Sequence, residues 1–434
     1  MLLGLFLSAL ALTVLGREYM FWHQKPEFLV FEGGGNRAFA YCGTLYELGR
    51  HGYLDKVRGA AGASAGSVFA TMVAAGFSTT EITEAMLRTD FSQFAGDTWW
   101  PTKVWNLFEK FGLIRGDEVV DWIGALLEAK GIAKDTTFKQ LHELTQRELV
   151  IVGSDVSVQR PVYFTRDSFP DMQVRHAVRA SMSIPVLYEP VHIEVPPGLL
   201  PDLEQNTTER HMFVDGNLWC LQQLPITCVR PTMSQLNFLP VWRQTPSVEA
   251  AATLGFKMID NSEQFDPVRL EISEKEPDSP DSLGSYLVKL LTSLQNVLGD
   301  WQSTPDAHLF WRRTILVNSG DFGTVNYDFT VEQKIALFKL GLQSAYDAMP
   351  PSETKLAPEE VERMFERFQE ENAATIKSAE EAEKNGCAED VDGVRALCSA
   401  LEHIGRIVNL PDAPGLAHCG DIEEDEDAAM HQEL

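Results

Sequence analysis

The feature that most constrains this chain is the pentapeptide Gly62–Gly66 (GASAG), which stands between an apolar segment and an alanine-rich one. The pattern Gly-x-Ser-x-Gly is typical of a sharp strand-to-helix turn, because the crowded backbone of such a turn leaves no room for larger side chains. We predict a strand at Arg58–Gly62 and a helix at Ser67–Ala75. Ser64 would then stand at the head of that helix, whose dipole favours developing negative charge. The pattern therefore predicts a nucleophilic serine.

A second glycine-rich turn, Glu32–Arg37 (EGGGNR), follows the apolar segment Phe28–Phe31, which is predicted to be a buried strand. Glycines in such a turn let backbone N–H groups approach a ligand closely. A dinucleotide-binding turn is the rival interpretation, and Asp55 does lie 20 residues after Gly35. That interpretation fails because Ala38 replaces the third glycine and a Gly-x-Ser-x-Gly follows. The turn is better explained as an oxyanion hole.

A third signal is the pair Asp215-Gly216, directly after the apolar segment Met212–Val214. A carboxylate at the carboxyl end of a buried strand lies where open α/β sheets form their ligand crevice. Taken alone, an Asp-Gly pair is more often only a turn. In this chain it is a candidate general base for the serine.

Short apolar strands alternate with amphipathic helices along most of the chain, which predicts an α/β sheet covered by helices. Further predicted strands are Leu149–Val152 and Thr314–Val317, and further helices are Ala38–Arg50, Glu118–Lys130, Val174–Met182 and Glu332–Met349. Two polar, proline-containing segments, Val195–Arg210 and Glu271–Ser285, are predicted to be loops.

These motifs, in their order and spacing, resemble those of the patatin-like phospholipases. The resemblance rests on EGGGNRA, GASAG, Arg179–Pro185 (RASMSIP) and the VDG that contains Asp215, and it continues at Thr253–Phe256 and Asn318–Thr324. It covers the chain from Glu27 to Met349, and the segment Ala180–Pro185 is expected to shape the pocket wall beside Ser64 and Asp215, or else to be only a helix end stopped by proline. It implies a three-layer α/β/α fold with a mixed, mostly parallel central sheet.

The resemblance also implies a mechanism. A Ser–Asp dyad, with no catalytic histidine, would hydrolyse a phospholipid or another lipid ester. Ser64 would be the nucleophile and Asp215 the base, with no metal and no organic cofactor. The implied oxyanion hole comprises Gly33, Gly34, Gly35 and Arg37, and the motif glycines are Gly62, Gly66 and Gly216. The chain departs from the family pattern at Ala38, where glycine is usual, and at Glu32, where many members have Asp or Gly.

Two alternatives stay open at this stage. A Ser–Asp–His triad would need a histidine after Asp215, and His308 is the strongest candidate among His308, His403, His418 and His431. A catalytically inactive lipid-binding or scaffold protein of the same fold is the second alternative, although all three catalytic elements are intact. The aromatic residues Trp99, Trp100, Trp105, Phe108 and Phe111 could form ordinary core, line an acyl-chain groove or touch a membrane interface.

Charge and hydropathy divide the chain into three predicted parts. Residues 1–25 contain the apolar run Leu2–Gly16, which favours a signal or anchor and hence membrane association or the secretory pathway. Residues 26–350 form the predicted hydrolase domain. Residues 351–434 hold 22 carboxylates against 7 Lys and Arg, a net charge of −15, and are predicted to be an acidic helical or disordered tail. The net charge of −27 for the whole chain argues against nucleic acid as a partner.

Overall fold

The fold is built on one mixed β-sheet flanked by helices. The computed structural model describes residues 25–95, 100–158, 160–196, 208–216, 253–261, 263–266, 271–274, 314–323 and 329–349, and positions 370, 373, 376 and 377. The predicted N-terminal segment before residue 25 and nearly all of the predicted acidic tail lie outside these residues. Among the described residues, no helix combines the length and apolar character that crossing a bilayer requires.

The strands of the described residues have the following bounds. They are β1 (Phe28–Phe31), β2 (Gly59–Ala63), β3 (Gly112–Ile114), β4 (Glu148–Asp155), β5 (Arg160–Phe164), β6 (Val186–Tyr188), β7 (Val191–Val195), β8 (Glu209–Asp215), β9 (Thr253–Ile259), β10 (Glu263–Asp266), β11 (Glu271–Glu274) and β12 (Thr314–Asn318). Eight of them form the central sheet in the order β12-β9-β1-β2-β4-β8-β7, with β5 also paired to β4.

The described helices are α1 (Ala40–Arg50), α2 (Ala65–Ala74), α3 (Thr79–Arg88), α4 (Trp100–Lys110), α5 (Asp117–Ala129), α6 (Phe138–Thr145), α7 (Val174–Ser181) and α8 (Val331–Ala348). Short 3-10 turns precede α1 (Gly35–Phe39) and follow α3 (Phe91–Ala95). Helix α2 packs on β1, β2 and β4, α7 packs on β4 and β8, and α8 packs on α1 and β12.

The five strands β12, β9, β1, β2 and β4 run parallel, whereas β5, β7 and β8 run antiparallel to their neighbours. The parallel strands are mostly apolar or small-residue segments, and every residue of β1, β2 and β4 is buried, as expected for a sheet covered by helices. The predicted fold class, a mixed and mostly parallel central sheet with flanking helices, is confirmed.

The close packing of α1 against α8 depends on two glycines. A Cβ added at Gly43 would lie 1.9 Å from the Phe338 carbonyl oxygen, and one at Gly341 would lie 1.8 Å from the Ala40 carbonyl oxygen. Both distances are far below van der Waals contact, so larger residues at either position would push the helices apart. This pair of helices closes the side of the sheet near β12.

The loop predicted for Glu271–Ser285 is wrong at its start. Glu271–Glu274 forms β11 and pairs antiparallel with β10 in a small separate sheet. The charged composition hid this strand, because pairing with β10 stabilises it and a local pattern carries no information about that partner. Most of the other predicted loop, Val195–Arg210, lies outside the described residues, while Val195 ends β7 and Glu209 begins β8.

Candidate functional site

Ser64 lies at the turn between β2 and α2, as its sequence motif predicts. Ala63 ends the strand and Ala65 begins the helix, while Ser64 itself has φ 50° and ψ −131°. A positive φ is costly for a residue with a Cβ and is maintained only where the surrounding structure enforces it. The turn thereby holds the Ser64 hydroxyl at the end of the strand.

The two motif glycines explain how the turn can be so tight. A Cβ at Gly62 would lie 2.2 Å from the Gly66 carbonyl oxygen, and a Cβ at Gly66 would lie 2.5 Å from the carbonyl oxygens of both Phe31 and Glu32. Larger residues at either position would push the backbone apart. The motif thus brings the start of α2 against the end of β1, where the glycine-rich loop starts.

Strand β4 aligns Asp215 with Ser64. Its residue Val152 is paired with Ala63 of β2, and its next residue, Gly153, is paired with Asp215 of β8. Because β5 occupies the opposite edge of this part of β4, β2 and β8 lie on the same side and meet end to end. The two candidate residues are therefore brought together by the register of three strands.

The Ser64 hydroxyl donates a hydrogen bond to Asp215 Oδ2 at an Oγ–Oδ2 distance of 2.7 Å. Both residues are nearly buried, with exposed fractions of 6% for Ser64 and 4% for Asp215. A charge-assisted hydrogen bond in such a dry environment is stronger than one in water. The geometry fits a carboxylate that accepts the proton of a reacting serine.

The segment after α7 fixes the backbones of both residues. The Ser64 N–H donates to Ser181 Oγ at 2.8 Å, and the Asp215 N–H donates to the Ser183 carbonyl oxygen at 2.8 Å. The Gly216 N–H donates to the Ser181 carbonyl oxygen at 3.0 Å, and a Cβ at Gly216 would lie 2.0 Å from the Val152 carbonyl oxygen. Met182 and Ile184 of this segment line the pocket beside Ser64, as predicted for Ala180–Pro185, whereas the sequence does not predict these backbone contacts.

Arg179, near the end of α7, holds the segment that follows this helix. Its buried guanidinium donates to the carbonyl oxygens of Arg115 and Glu189 and to Ser183 Oγ, and it lies over the Tyr188 ring. Burial lowers the pKa of this guanidinium from its usual value. Arg179 thus joins the ends of β3 and β6 to the residue that holds the Asp215 backbone.

The glycine-rich loop lies beside Ser64 and continues into the 3-10 turn. Gly35 has φ +56°, a left-handed conformation that favours glycine, and it lines the same pocket as Ser64. The N–H groups of Gly33 and Gly34 have no hydrogen-bond acceptor within the described part of the chain, whereas the Arg37 N–H donates to the Gly34 carbonyl oxygen at 3.2 Å. Of the four predicted oxyanion residues, only Gly35 is among the pocket-lining residues that the structure describes.

Two charged residues, Glu32 and Arg37, stand at the two ends of the glycine-rich loop. The Arg37 Nε is buried and has no hydrogen-bond partner among the described residues. The Glu32 carboxylate accepts hydrogen bonds from Lys257 Nζ and the Met258 N–H, each at 2.8 Å, and so ties the end of β1 to β9. Tyr41 donates to the Glu32 carbonyl oxygen at 3.0 Å, and burial raises the pKa of that phenol well above its usual value, so it stays a donor.

An apolar pocket opens next to Ser64. Besides Ser64, its polar lining residues are few, and the walls are aliphatic and aromatic side chains from α2, α3, α5, the second 3-10 turn and β6. These include Val68, Phe69, Met86, Phe91, Phe94, Trp122, Met182, Ile184 and Leu187. Such a lining is suited to contact with apolar groups, and it lies directly beside the Ser64 hydroxyl.

None of the five aromatic residues that the sequence pointed to, Trp99, Trp100, Trp105, Phe108 and Phe111, is among the described residues that line this pocket. Trp105 and Phe111 are exposed, Trp99 lies outside the described residues, and the side chains of Trp100 and Phe108 are not described. The aromatic side chains that line the pocket are instead Phe39, Phe69, Phe91, Phe94, Trp122 and Tyr188. These residues come from several separate elements, so no local sequence pattern indicates them.

The four histidines of the triad alternative, His308, His403, His418 and His431, lie outside the described residues. The described histidine nearest to Asp215 in the chain, His211, is buried and lies with Nδ1 2.6 Å from Asp155 Oδ2. It is therefore already engaged with another carboxylate. In the described part of the chain, no group of three or more His, Cys, Asp or Glu side chains is arranged to hold a metal ion.

Comparison with known proteins places this geometry in context. Residues 29–218 match the family model of the patatin-like phospholipases. Uncharacterized protein R571 of Acanthamoeba polyphaga mimivirus is 33% identical over 168 residues, which are 38% of this chain and 54% of that protein. Probable lipid hydrolase 463L of Invertebrate iridescent virus 6 is 22% identical over 214 residues, which are 47% of this chain and 64% of that protein. The chain thus spans between 54% and 64% of the length of these curated relatives.

Among solved structures, VipD from Legionella pneumophila is similar to this chain with a TM-score of 0.42 and 13% sequence identity. The superposed region covers 91% of this chain and 86% of the VipD chain.

Proposed function

Residues 29–218 belong to the patatin-like phospholipase family, and from this premise we propose that the chain hydrolyses carboxylic esters of lipids through a covalent Ser64 acyl-enzyme. The observation that carries the proposal is the hydrogen bond of 2.7 Å from Ser64 Oγ to Asp215 Oδ2, at the wall of an apolar pocket. A serine hydroxyl is a weak nucleophile unless a base accepts its proton. Asp215 has the position for that base.

In the first half of the reaction, Ser64 Oγ attacks the ester carbonyl carbon while its proton passes to Asp215. The carbonyl oxygen becomes an oxyanion, which the N–H groups of the Gly33–Gly35 loop and the charge of Arg37 stabilise. The C–O bond of the ester then breaks, and the departing alkoxide takes the proton from Asp215. The products of this half are the alcohol portion of the lipid and an acyl chain esterified to Ser64.

In the second half, a water molecule attacks the acyl carbonyl carbon and gives its proton to Asp215. The same N–H groups hold the second oxyanion. When it collapses, the bond to Ser64 Oγ breaks, the proton returns to the serine, and a fatty acid leaves. Atoms and charge balance without a metal or an organic cofactor.

The apolar pocket supports a lipid as the substrate class. Burial of hydrocarbon gives about 0.8 kcal/mol for each CH₂ removed from water, so an acyl chain in this pocket supplies binding energy that a short ester lacks. Phe94 and Trp122 lie with ring centroids 5.0 Å apart and form part of the wall. Long-chain esters are therefore the proposed substrates, with phospholipids as the first class to test.

The test is fatty acid release by the purified full chain from phosphatidylcholine vesicles and from dispersed neutral glycerides, measured by mass spectrometry, with Ser64→Ala as the blank. We expect release from at least one of the two lipid classes, far above the blank. Release equal to the blank from both classes, by a protein that still binds the lipids, would replace this proposal with the inactive lipid-binding alternative.

Arg179 provides a prediction about positioning. Arg179→Lys keeps a positive charge but loses the planar fork that reaches the carbonyl oxygens of Arg115 and Glu189 and Ser183 Oγ together. Displacement of Ser183 would shift the Asp215 backbone, and a misplacement of about 1 Å costs about 10²-fold in rate. We expect kcat to fall by about that factor, with KM nearly unchanged, in a steady-state assay with a soluble ester.

Arg147→Lys is the matched control for that prediction. Arg147 is also partly buried and donates to a backbone carbonyl oxygen, that of Val73, at 2.6 Å. It lies next to the start of β4, at the opposite end of that strand from Ser64 and Asp215. Arg147→Lys should lower Tm without lowering kcat, and an equal loss of kcat in both variants would contradict a positioning role for Arg179.

A further inference from the structure

Exposed apolar side chains concentrate on one small unit of the surface. Five large apolar residues stand out as exposed in the described part of the chain, and three of them are Trp105 at 65%, Phe111 at 59% and Val186 at 39%. Trp105 belongs to α4, which packs on β3, and β3 pairs in parallel with β6. We call α4, Phe111, β3 and β6 together the apolar ribbon.

The backbone of the apolar ribbon is strained where these side chains protrude. Four non-glycine residues of the described chain have positive φ, and besides Ser64 and Gln146 they are Phe111 (62°) and Val186 (72°). Phe111 directly precedes Gly112, the residue paired with Val186, so the two strained residues are neighbours. A positive φ costs about 1–2 kcal/mol for such residues, most of all for β-branched valine. Core packing does not recover this cost, because both side chains face solvent.

The apolar ribbon is continuous with the pocket at Ser64. Within β6, Val186 is exposed, whereas the next two residues, Leu187 and Tyr188, line the pocket. Ile184, two residues before Val186, lines it as well. A lipid that leaves a surface in contact with Val186 would thus meet the pocket wall within the same strand.

Two basic side chains at the edge of the apolar ribbon are held in ion pairs. Lys110 lies 3.3 Å from Glu189, and Arg115 lies 2.9 Å from Asp117. The ribbon therefore presents apolar side chains between ion pairs, in a chain whose overall charge of −27 would be repelled by anionic lipid. Exposed Trp and Phe are the side chains that partition best into the interface of a bilayer.

We infer that the apolar ribbon docks on a zwitterionic lipid surface through Trp105, Phe111 and Val186 and delivers lipid from it to the pocket. This inference rests on the proposed function for its substrate. Docking by insertion of apolar side chains predicts little dependence on salt, in contrast to attraction between opposite charges. Arg179, which holds the ends of β3 and β6, fixes the ribbon relative to Asp215.

The test uses glycine as a substituent that relieves strain. Phe111→Gly together with Val186→Gly removes both side chains, and glycine adopts positive φ without strain, so Tm should not fall. These substitutions are made in a Ser64→Ala background, which separates binding from hydrolysis. We expect the affinity for phosphatidylcholine vesicles, measured by co-sedimentation, to fall at least about tenfold. Trp105→Ser should weaken it independently. Binding of the unmodified ribbon should change less than about twofold between low and high salt.

Leu144→Ser and Val156→Ser are matched controls, because Leu144 is 65% exposed and Val156 is 42% exposed, like Trp105 and Val186. Leu144 lies on α6, near the start of β4, at the end of that strand away from Ser64. Both controls should bind vesicles as the parent does. Equal losses in controls and ribbon variants, or no loss in the ribbon variants, would overturn the inference.

Failure of the docking inference and failure of the proposed function give different results. With Ser64 intact, the ribbon variants should hydrolyse a soluble monomeric ester as fast as the parent and lose activity only on vesicles. A parent that hydrolyses lipid but does not bind vesicles overturns the docking inference alone. A parent whose vesicle binding depends on the ribbon, but that hydrolyses no ester, overturns the proposed function alone.

Discussion

Replacement of Ser64 by alanine is expected to lower kcat for lipid ester hydrolysis by about four to six orders of magnitude, because it removes the hydroxyl on which the proposed acyl-enzyme forms. The hydroxyl makes one hydrogen bond to Asp215, and the N–H that Ser181 holds is retained in the variant. Alanine accepts the positive φ of this turn no worse than serine does. Tm should therefore stay close to that of the parent, and steady-state kinetics with the same lipid provide the measurement.

Asp215→Asn belongs to the same experiment, since an amide cannot take the Ser64 proton. We expect a comparable loss, and the Ser64→Ala, Asp215→Asn double variant should be no slower than either single variant, because residues that act as a unit are not additive. His308→Ala is the control for a histidine triad and should cost little. A loss of several orders of magnitude in His308→Ala would restore the Ser–Asp–His alternative.

The second large effect is expected in the glycine-rich loop. Gly35→Val introduces a β-branched residue at φ +56°, so the loop must change conformation and at least one N–H donor should move away from the oxyanion. Loss of one such donor typically costs about 10²–10³-fold in kcat, because the donor acts mainly in the transition state. We expect that fall in kcat with KM changed much less, measured with a soluble ester.

Gly131→Val is the matched control for the loop. Gly131 also has positive φ, +76°, and a Cβ there meets nothing within 4 Å. It follows α5, away from Ser64, so the substitution reports the cost of backbone strain alone. A similar fall in kcat for both valine variants would mean that the loss at Gly35 comes from lower stability and not from the oxyanion hole.

Local patterns sufficed to predict the parts of the fold and site that depend on neighbouring residues. Strand β1, helix α2 and the turn at Ser64 were predicted from a buried apolar run and from glycines whose close contacts leave no space for a Cβ. The position of Asp215 at the end of β8 was predicted in the same way. Two further elements have local signals in the sequence that we did not use. A capping box at Ser78 and Glu81 indicates the start of α3, and alternating apolar and polar residues indicate β7.

Contacts between distant segments could not be predicted in this way. Some hydrogen bonds of the site join residues that are far apart in the chain. The Ser64 N–H donates to Ser181 Oγ, and Arg179 donates to the carbonyl oxygens of Arg115 and Glu189. They exist because α7 ends beside β4 and β8, which is a property of the packed sheet. The same holds for β10 and β11, whose charged sequences form strands only as partners of each other. Local sequence carries no record of such partners.

Covalent labelling shows whether Ser64 is an activated nucleophile. The folded full chain is treated with a serine-reactive fluorophosphonate, and the adduct is located by peptide mass spectrometry. We predict one dominant adduct on Ser64 that is absent after heat denaturation and strongly reduced in Asp215→Asn. Folded protein that leaves Ser64 unlabelled, or that carries its dominant adduct on a different residue, would contradict it.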